Sequence, residues 1–263
     1  MRLKGKVAII TGAGQQHGEN IGNGRAAAVL FAREGAKLVL ANRSMASLEG
    51  TGELLRKEGF DAECVTADIS KEDECAALVK AAMSKFGRID ILHNNVGIGS
   101  AEGDTIKIER SAWDNVFNVN LDGAMLISKH VLPIMRSQHS GSITHVSSVA
   151  AVGSYPLIAY KTSKAALHEF ARWLAFENAQ HNIRCNVLML GFIDTPMAIE
   201  GFHKVTGTPR DTLRKQRDAQ VPMGRMGTAW ETAKVAVFLA SDEASYVTGA
   251  VIPVDGGLQT RVG

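Results

Sequence analysis

The chain has 263 residues, 45% hydrophobic and 21% charged, with a formal net charge of +2. That balance excludes a disordered chain, the strand-sized apolar runs exclude a membrane span, and the scattered Lys and Arg residues form no basic stripe for nucleic acid. Cys64, Cys75 and Cys185 lack metal or redox spacing, and Met1–Lys6 leads into a strand rather than an apolar signal core, so free thiols in a cytoplasmic enzyme are expected.

The first predicted strand, Val7–Ile10, empties into Thr11-Gly12-Ala13-Gly14, and a helix begins near Gly22-Asn23-Gly24, with Ala26, Leu30 and Phe31 on one face and Gly35 as its stop. Glycine is needed where a turn receives pyrophosphate, because a side chain would hold the backbone away. The helix start supplies unpaired N–H groups and a partial positive charge. Residues Gln15–Ile21 make the turn longer than a compact fingerprint; His17 and Asn20 either fold over the phosphates or form a surface excursion. The second strand, Lys37–Ala41, ends at Asn42-Arg43. An acidic residue there would bind the ribose hydroxyls of NAD and repel a 2′-phosphate. Asn42 removes that repulsion and Arg43 offers a bidentate partner, so NADP(H) is favoured, with NAD(H) as the alternative.

Further strands are predicted at Ala62–Thr66, Ile89–Asn94, Ser142–Ser147, Arg184–Leu188 and Val251–Val254. Seven strands alternating with helices predict right-handed crossovers and a single-domain α/β fold over residues 1–263: a Rossmann-like, doubly wound parallel sheet with helices on both faces. Ligands would bind beyond the strands' carboxyl ends. Thr195 to Val221 is polar, interrupted by Gly201, Gly207 and Pro209, and is the least regular stretch; it reads as a lid over the substrate.

The densest chemical signal is Ser147-Ser148 at the end of one strand, followed by Tyr160-Lys161-Thr162-Ser163-Lys164 at the start of the next helix. Four residues apart, Tyr160 and Lys164 share a helical face. Tyrosine titrates near pH ~10, and a neighbouring ammonium and an oxidised nicotinamide would stabilise the phenolate and lower that value. Tyr160 then becomes an acid and base, with Ser148 binding the reacting oxygen.

The set Thr11-Gly12, Gly22-Asn23-Gly24, Asn94-Asn95-Val96-Gly97, Asn120, Ser148, Tyr160-x-x-x-Lys164, Gly191 to Thr195 and Asp255-Gly256-Gly257 resembles the classical short-chain dehydrogenase/reductase family, in particular its 3-oxoacyl-carrier-protein reductase-like members. The match runs along essentially the whole chain in order. The resemblance implies a Ser148–Tyr160–Lys164–Asn120 tetrad with a proton relay through Asn120 and water, and a homotetramer. It also implies that Asp68 and Ile69 flank the adenine, that Asn95 and Gly97 line the cofactor, and that Ile193 and Thr195 contact the carboxamide, with Gly12, Gly14, Gly22, Asn23 and Gly24 at the phosphates. Three departures stand out. The first turn is longer than the family's Thr-Gly-x-x-x-Gly-x-Gly; Leu190 replaces the proline usual before Gly191, which predicts a looser turn; and the Ser148–Tyr160 interval is one residue short, which leaves Ser147 in competition with Ser148.

Tyr155, Phe192, Met197 and Phe202 flank the catalytic or lid segments and are expected around an apolar substrate. Phe170, Trp173 and Phe176 fall at helical spacing and read as core or subunit packing. The apolar faces around Val116–Leu132 and Ala165–Phe176 are expected to pair between subunits. The eight histidines lack ligand spacing, so no metal is expected. The expected function is hydride transfer between NAD(P)(H) and a small-molecule carbonyl/alcohol pair. The rivals are an enoyl reductase and an idle nucleotide-binding regulator.

Overall fold

The computed structural model describes residues 1–15, 17–99, 105–153 and 155–261; Gln16 of the extended turn lies outside them. The strands are β1 (Val7–Thr11), β2 (Lys37–Asn42), β3 (Ala62–Thr66), β4 (Ile91–Asn94), β5 (Gly141–Ser148), β6 (Ile183–Leu190) and β7 (Val251–Val254). They form one parallel sheet ordered β3-β2-β1-β4-β5-β6-β7. Each predicted strand is present. The chain moves outward from β1 to β3, then returns to β4 on β1's other side, which leaves a crevice beyond the ends of β1 and β4.

Period-two alternation assigns the strand residues to two cores. Ala8, Ile10, Leu38 and Leu40 pack with α1 (Asn23–Arg33), α2 (Met45–Lys57) and α9 (Ala229–Ala240). Ile9, Val39 and Ala41 point the other way, toward α3 (Glu72–Phe86), α5 (Gly123–Gln138) and α6 (Ile158–Asn178). Because both faces are covered, the inner strands read as continuous apolar runs.

The stretch expected to be irregular, 195–221, contains two helices, α7 (Pro196–Thr206) and α8 (Arg210–Asp218). Gly207 is not an interruption but the left-handed C-cap of α7, at φ 71°, and Pro209 is the N-cap of α8. The apolar faces expected between subunits are largely internal: Val116, Val119, Ile127, Val131, Ala171 and Leu174 are buried within the chain. Trp173 and Phe176 remain outside, at 58% and 77% exposure. Among the described residues, no helix is long and apolar enough to cross a membrane.

Candidate active site

The turn after β1 is built for close backbone approach. Gly12 has φ +65°. A Cβ on Gly24 would strike Gly12 O and come within 2.7 Å of Asn95 Nδ2, while one on Gly14 would strike Asn42 Nδ2. Asn95 Nδ2 donates to Gly12 O at 3.1 Å, and Thr11 Oγ1 donates to Asn94 Oδ1 at 2.6 Å, so the ends of β1 and β4 are fastened together. Helix α1 has no acidic residue in its first turn and no side-chain cap from Gly22, so no side chain of that turn offsets its positive end. These features fit the pyrophosphate of a dinucleotide. Two expected contacts are otherwise engaged. Asn23 Oδ1 accepts from Thr232 Oγ1 of α9 at 3.0 Å, and the Gln15 side chain receives the Gly22 N–H at 2.8 Å. Gln15 is also held by Ser47, whose Oγ accepts from its N–H at 2.7 Å and donates to its carbonyl at 2.8 Å.

At the end of β2, Asn42 Oδ1 accepts from Arg43 N at 2.8 Å. Asp68 is near enough to feel the charge of Arg43, and its carboxylate accepts from Ser70 N and Oγ at 3.0 and 2.7 Å. Ile69 is buried against Gly123, so its side chain belongs to the wall.

Helix α4 (Arg110–Phe117) reaches α5 through one π-helical turn, Asn118–Asp122. That wider turn carries Asn120, whose Oδ1 accepts from Ile98 N at 2.8 Å and whose Nδ2 donates to Ile98 O at 2.9 Å and Ser163 Oγ at 3.0 Å. Tyr160 and Lys164 lie on the same side of α6, with Lys164 Nζ 5.9 Å from the Tyr160 ring centroid. Lys164 is 3% exposed and donates to Val146 O at 2.9 Å. Gly97 leaves the space in front of it, since a Cβ there would lie 2.8 Å from Nζ and 3.6 Å from Asn120 Oδ1. Ser148 hydrogen-bonds Tyr160, and its Oγ accepts from Ala150 N at 3.2 Å.

Beyond β6, Gly191 donates to Val254 O at 3.0 Å, and a Cβ on it would lie 2.6 Å from Asp255 Cα. Ile193 pairs with Gly227, and Thr195 caps α7, its Oγ1 accepting from Ala198 N at 3.4 Å. The Tyr155 and Tyr160 ring centroids are 6.0 Å apart, and Phe192 and Phe202 converge on Arg217. Met197 is exposed on α7.

A family model described as enoyl-(acyl carrier protein) reductase matches residues 18–259. The 3-oxoacyl-(acyl-carrier-protein) reductase of Thermotoga maritima is 38% identical over 261 residues, 98% of this chain and 99% of its own. Cis-4-hydroxycyclohexanecarboxylate dehydrogenase of Sinomonas cyclohexanicum is 36% identical over 253 residues, 96% of each chain. The solved structure of a short-chain dehydrogenase/reductase from Burkholderia xenovorans has a TM-score of 0.94 at 38% identity, covering 100% of this chain and 99% of that one. The chain belongs to the short-chain dehydrogenase/reductase family.

The two serines have different neighbours. In this short-chain dehydrogenase/reductase, Ser147 is 3% exposed, donates to Lys164 O at 3.1 Å and contacts His168 Nε2 at 2.8 Å, which leaves Ser148 beside Tyr160. The Ser147–His168 contact was not foreseen, because His168 carries no local motif.

On balance the protein's own groups do not lower the tyrosine value. Burial pushes Tyr160 up to about 12; its bond with Ser148 acts downward and Tyr155 upward. Burial also holds Lys164 down to about 8, and the ammonium is directed at Val146 O rather than at the phenol.

Proposed function

We propose that this oxidoreductase transfers hydride between NADP(H) and a small-molecule carbonyl/secondary alcohol pair, with Tyr160 as general acid and base. The observation that carries the reading is the convergence of Ser148, Tyr160, Lys164 and Asn120 at the carboxyl ends of β4 and β5, beside a glycine turn shaped for pyrophosphate. The nicotinamide, when bound, donates or accepts the hydride. Tyr160 keeps its proton at neutral pH because burial disfavours phenolate. In reduction it gives that proton to the carbonyl oxygen, which Ser148 orients through a second hydrogen bond. Lys164, already drawn toward neutrality but aimed at Val146 O, would return a proton to the phenolate through an intervening hydroxyl or water, and Asn120 is fixed by both its amide groups at the start of the outward relay. Oxidation runs the same transfers backward. Gly12, Gly14 and Gly24 receive the phosphates, Arg43 the 2′-phosphate, Asn95 and Gly97 line the cofactor, and Ile193 and Thr195 meet its carboxamide. Helices α7 and α8 act as the lid of one catalytic domain.

Two readings compete. The description of the matching family model favours an enoyl reductase, which would act on a carbon–carbon double bond. Against it stands the four-residue Tyr160–Lys164 spacing and a Ser148 placed to hold an oxygen. Assembly as a homotetramer is part of the proposal, supported by the exposed Trp173–Phe176 pair, whose ring centroids are 5.8 Å apart. A panel of 3-oxoacyl thioesters, cyclic ketones, secondary alcohols and enoyl thioesters, followed at the nicotinamide absorbance with both cofactors, tests the reading. Turnover of ketones or alcohols, faster with NADP(H), is expected. Turnover confined to enoyl thioesters, or none, would replace it.

A further inference from the structure

The lid contains a buried cation whose hydrogen-bonding edge is unused. Arg217 lies one turn after Leu213 on the inward face of α8 and is 8% exposed. Its guanidinium carbon is 4.4 Å from the Phe202 ring centroid and 5.4 Å from that of Phe192. Nη1 donates to Ala198 O at 2.8 Å, which ties α8 to α7. Among the described residues, Nε and Nη2 have no acceptor and the group has no ion-pair partner.

In several other arginines the same edge closes on a carboxylate. Arg33 sends Nε and Nη2 to Glu58 at 2.7 and 2.8 Å, and Arg210 of the lid sends them to Glu200 at 2.7 and 2.8 Å. Arg214, three residues before Arg217, meets Glu19 at 2.8 Å and Asp194 at 3.1 Å. Asp194, whose charge Arg217 feels, pairs with Arg214 through Oδ2, its Oδ1 has no partner among the described residues, and it forms no ion pair with Arg217. The guanidinium stays charged, and its two unbonded nitrogens remain open for an incoming anion. The guanidinium carbon lies over both aromatic rings, and its unpaired Nε–Nη2 fork matches a planar carboxylate. The position is close to the chemistry: Arg217 also feels Tyr155, whose ring is 6.0 Å from that of Tyr160.

We propose that Arg217 determines specificity by receiving an anionic group, a carboxylate or an anion of like shape, at the end of the substrate remote from the carbonyl or alcohol held by Tyr160. The carbon skeleton would then span the apolar gap walled by Tyr155, Phe192 and Phe202. The inference rests on the ketone/alcohol reading above.

Calorimetry on the cofactor-saturated enzyme tests it with an unreactive pair, cyclohexanecarboxylate and cyclohexanecarboxamide. The wild type is expected to bind the acid at least about ten-fold more tightly than the amide, a gap typical of a charge-assisted contact. Arg217→Met should abolish the preference and Arg217→Lys should keep part of it. Equal affinity in the wild type, no binding of either probe, or a preference that survives Arg217→Met overturns the assignment. So does an Arg217→Met variant whose affinity for the cofactor falls as much as that for the acid, since the anion would then be the cofactor's. In parallel, 4-oxocyclohexanecarboxylate and its methyl ester are assayed as substrates; Arg217→Met should raise KM for the acid at least about ten-fold more than for the ester. An ester turned over by the wild type as well as the acid leaves the ketone reading standing and removes Arg217's role. An acid that is selectively bound through Arg217 but never reduced does the reverse.

Discussion

Replacing Lys164 with Met separates what the site needs from what the fold prefers. The Lys164 ammonium is 3% exposed, and burial brings it from an ordinary value of 10.5 down to about 8. The difference is worth about 3 kcal/mol against the charged folded form at pH 7. Methionine fills similar space without charge, and the lost hydrogen bond to Val146 O offsets about 1 kcal/mol. The variant is therefore expected to be about 2 kcal/mol more stable, melting about 5 °C higher, while turnover collapses. The pH dependence has a defined sign. Because the folded value lies below the unfolded one, the unfolded chain holds more protons between pH 8 and 10.5, and wild-type stability from this group rises across that window. The gap between the two proteins should be full at pH 7 and shrink toward about pH 10. Thermal melts without nucleotide at both pH values measure it. A Lys164→Met enzyme that melts lower at pH 7, or a gap unchanged at about pH 10, refutes the reasoning.

Arg43→Ala should weaken NADP(H) by roughly 1.5–3 kcal/mol, one to two decades, and NAD(H) far less; calorimetry that finds both equally weakened defeats the assignment of Arg43. Thr228 and Glu231 form the capping box of α9, and Arg225 together with Thr228 draws Glu231 down to about 2. Thr228→Ala should cost about 1 kcal/mol. Glu231's contribution, present above about pH 4.5, should fade as pH falls toward 2, so melts of wild type and Glu231→Gln should converge in acid; a constant difference would exclude the ionic part. Light scattering at micromolar concentration should give a tetramer, and a monomer removes that proposal.

The fold was legible because its signals are local. Alternating strand runs such as Val7–Ile10 and Lys37–Ala41, separated by helical periodicity, specify a covered parallel sheet, and each expected strand is present. The irregularity expected of 195–221 was a misreading, because Gly207 and Pro209 look like breaks in a linear sequence, whereas in the structure they cap adjoining helices. The 116–132 face was misread for a related reason: periodicity identifies an apolar face but not which neighbour covers it, and here the chain's own core does. Glycines of the first turn were legible as a pattern, yet Gln15 filling the Gly22 N–H and Asn23 turning to Thr232 depend on residues 7 and 209 positions away. Arg217 was invisible for the same reason. A single arginine in a polar helix has no motif, and its meaning comes from Phe192, Phe202 and an Nε–Nη2 edge that meets no acceptor among the described residues.

The central claim is that Tyr160 carries the transferred proton. Tyr160→Phe keeps the ring beside Tyr155 and Lys164 but deletes the hydroxyl bonded by Ser148. Turnover of a ketone or alcohol substrate, measured together with cofactor binding, is the direct test. The account predicts a loss of at least roughly 10²–10⁴-fold with cofactor affinity largely preserved, and disappearance of the rise in oxidative rate with pH that the wild type should display. A Tyr160→Phe enzyme that binds cofactor and turns over at a near wild-type rate would contradict it.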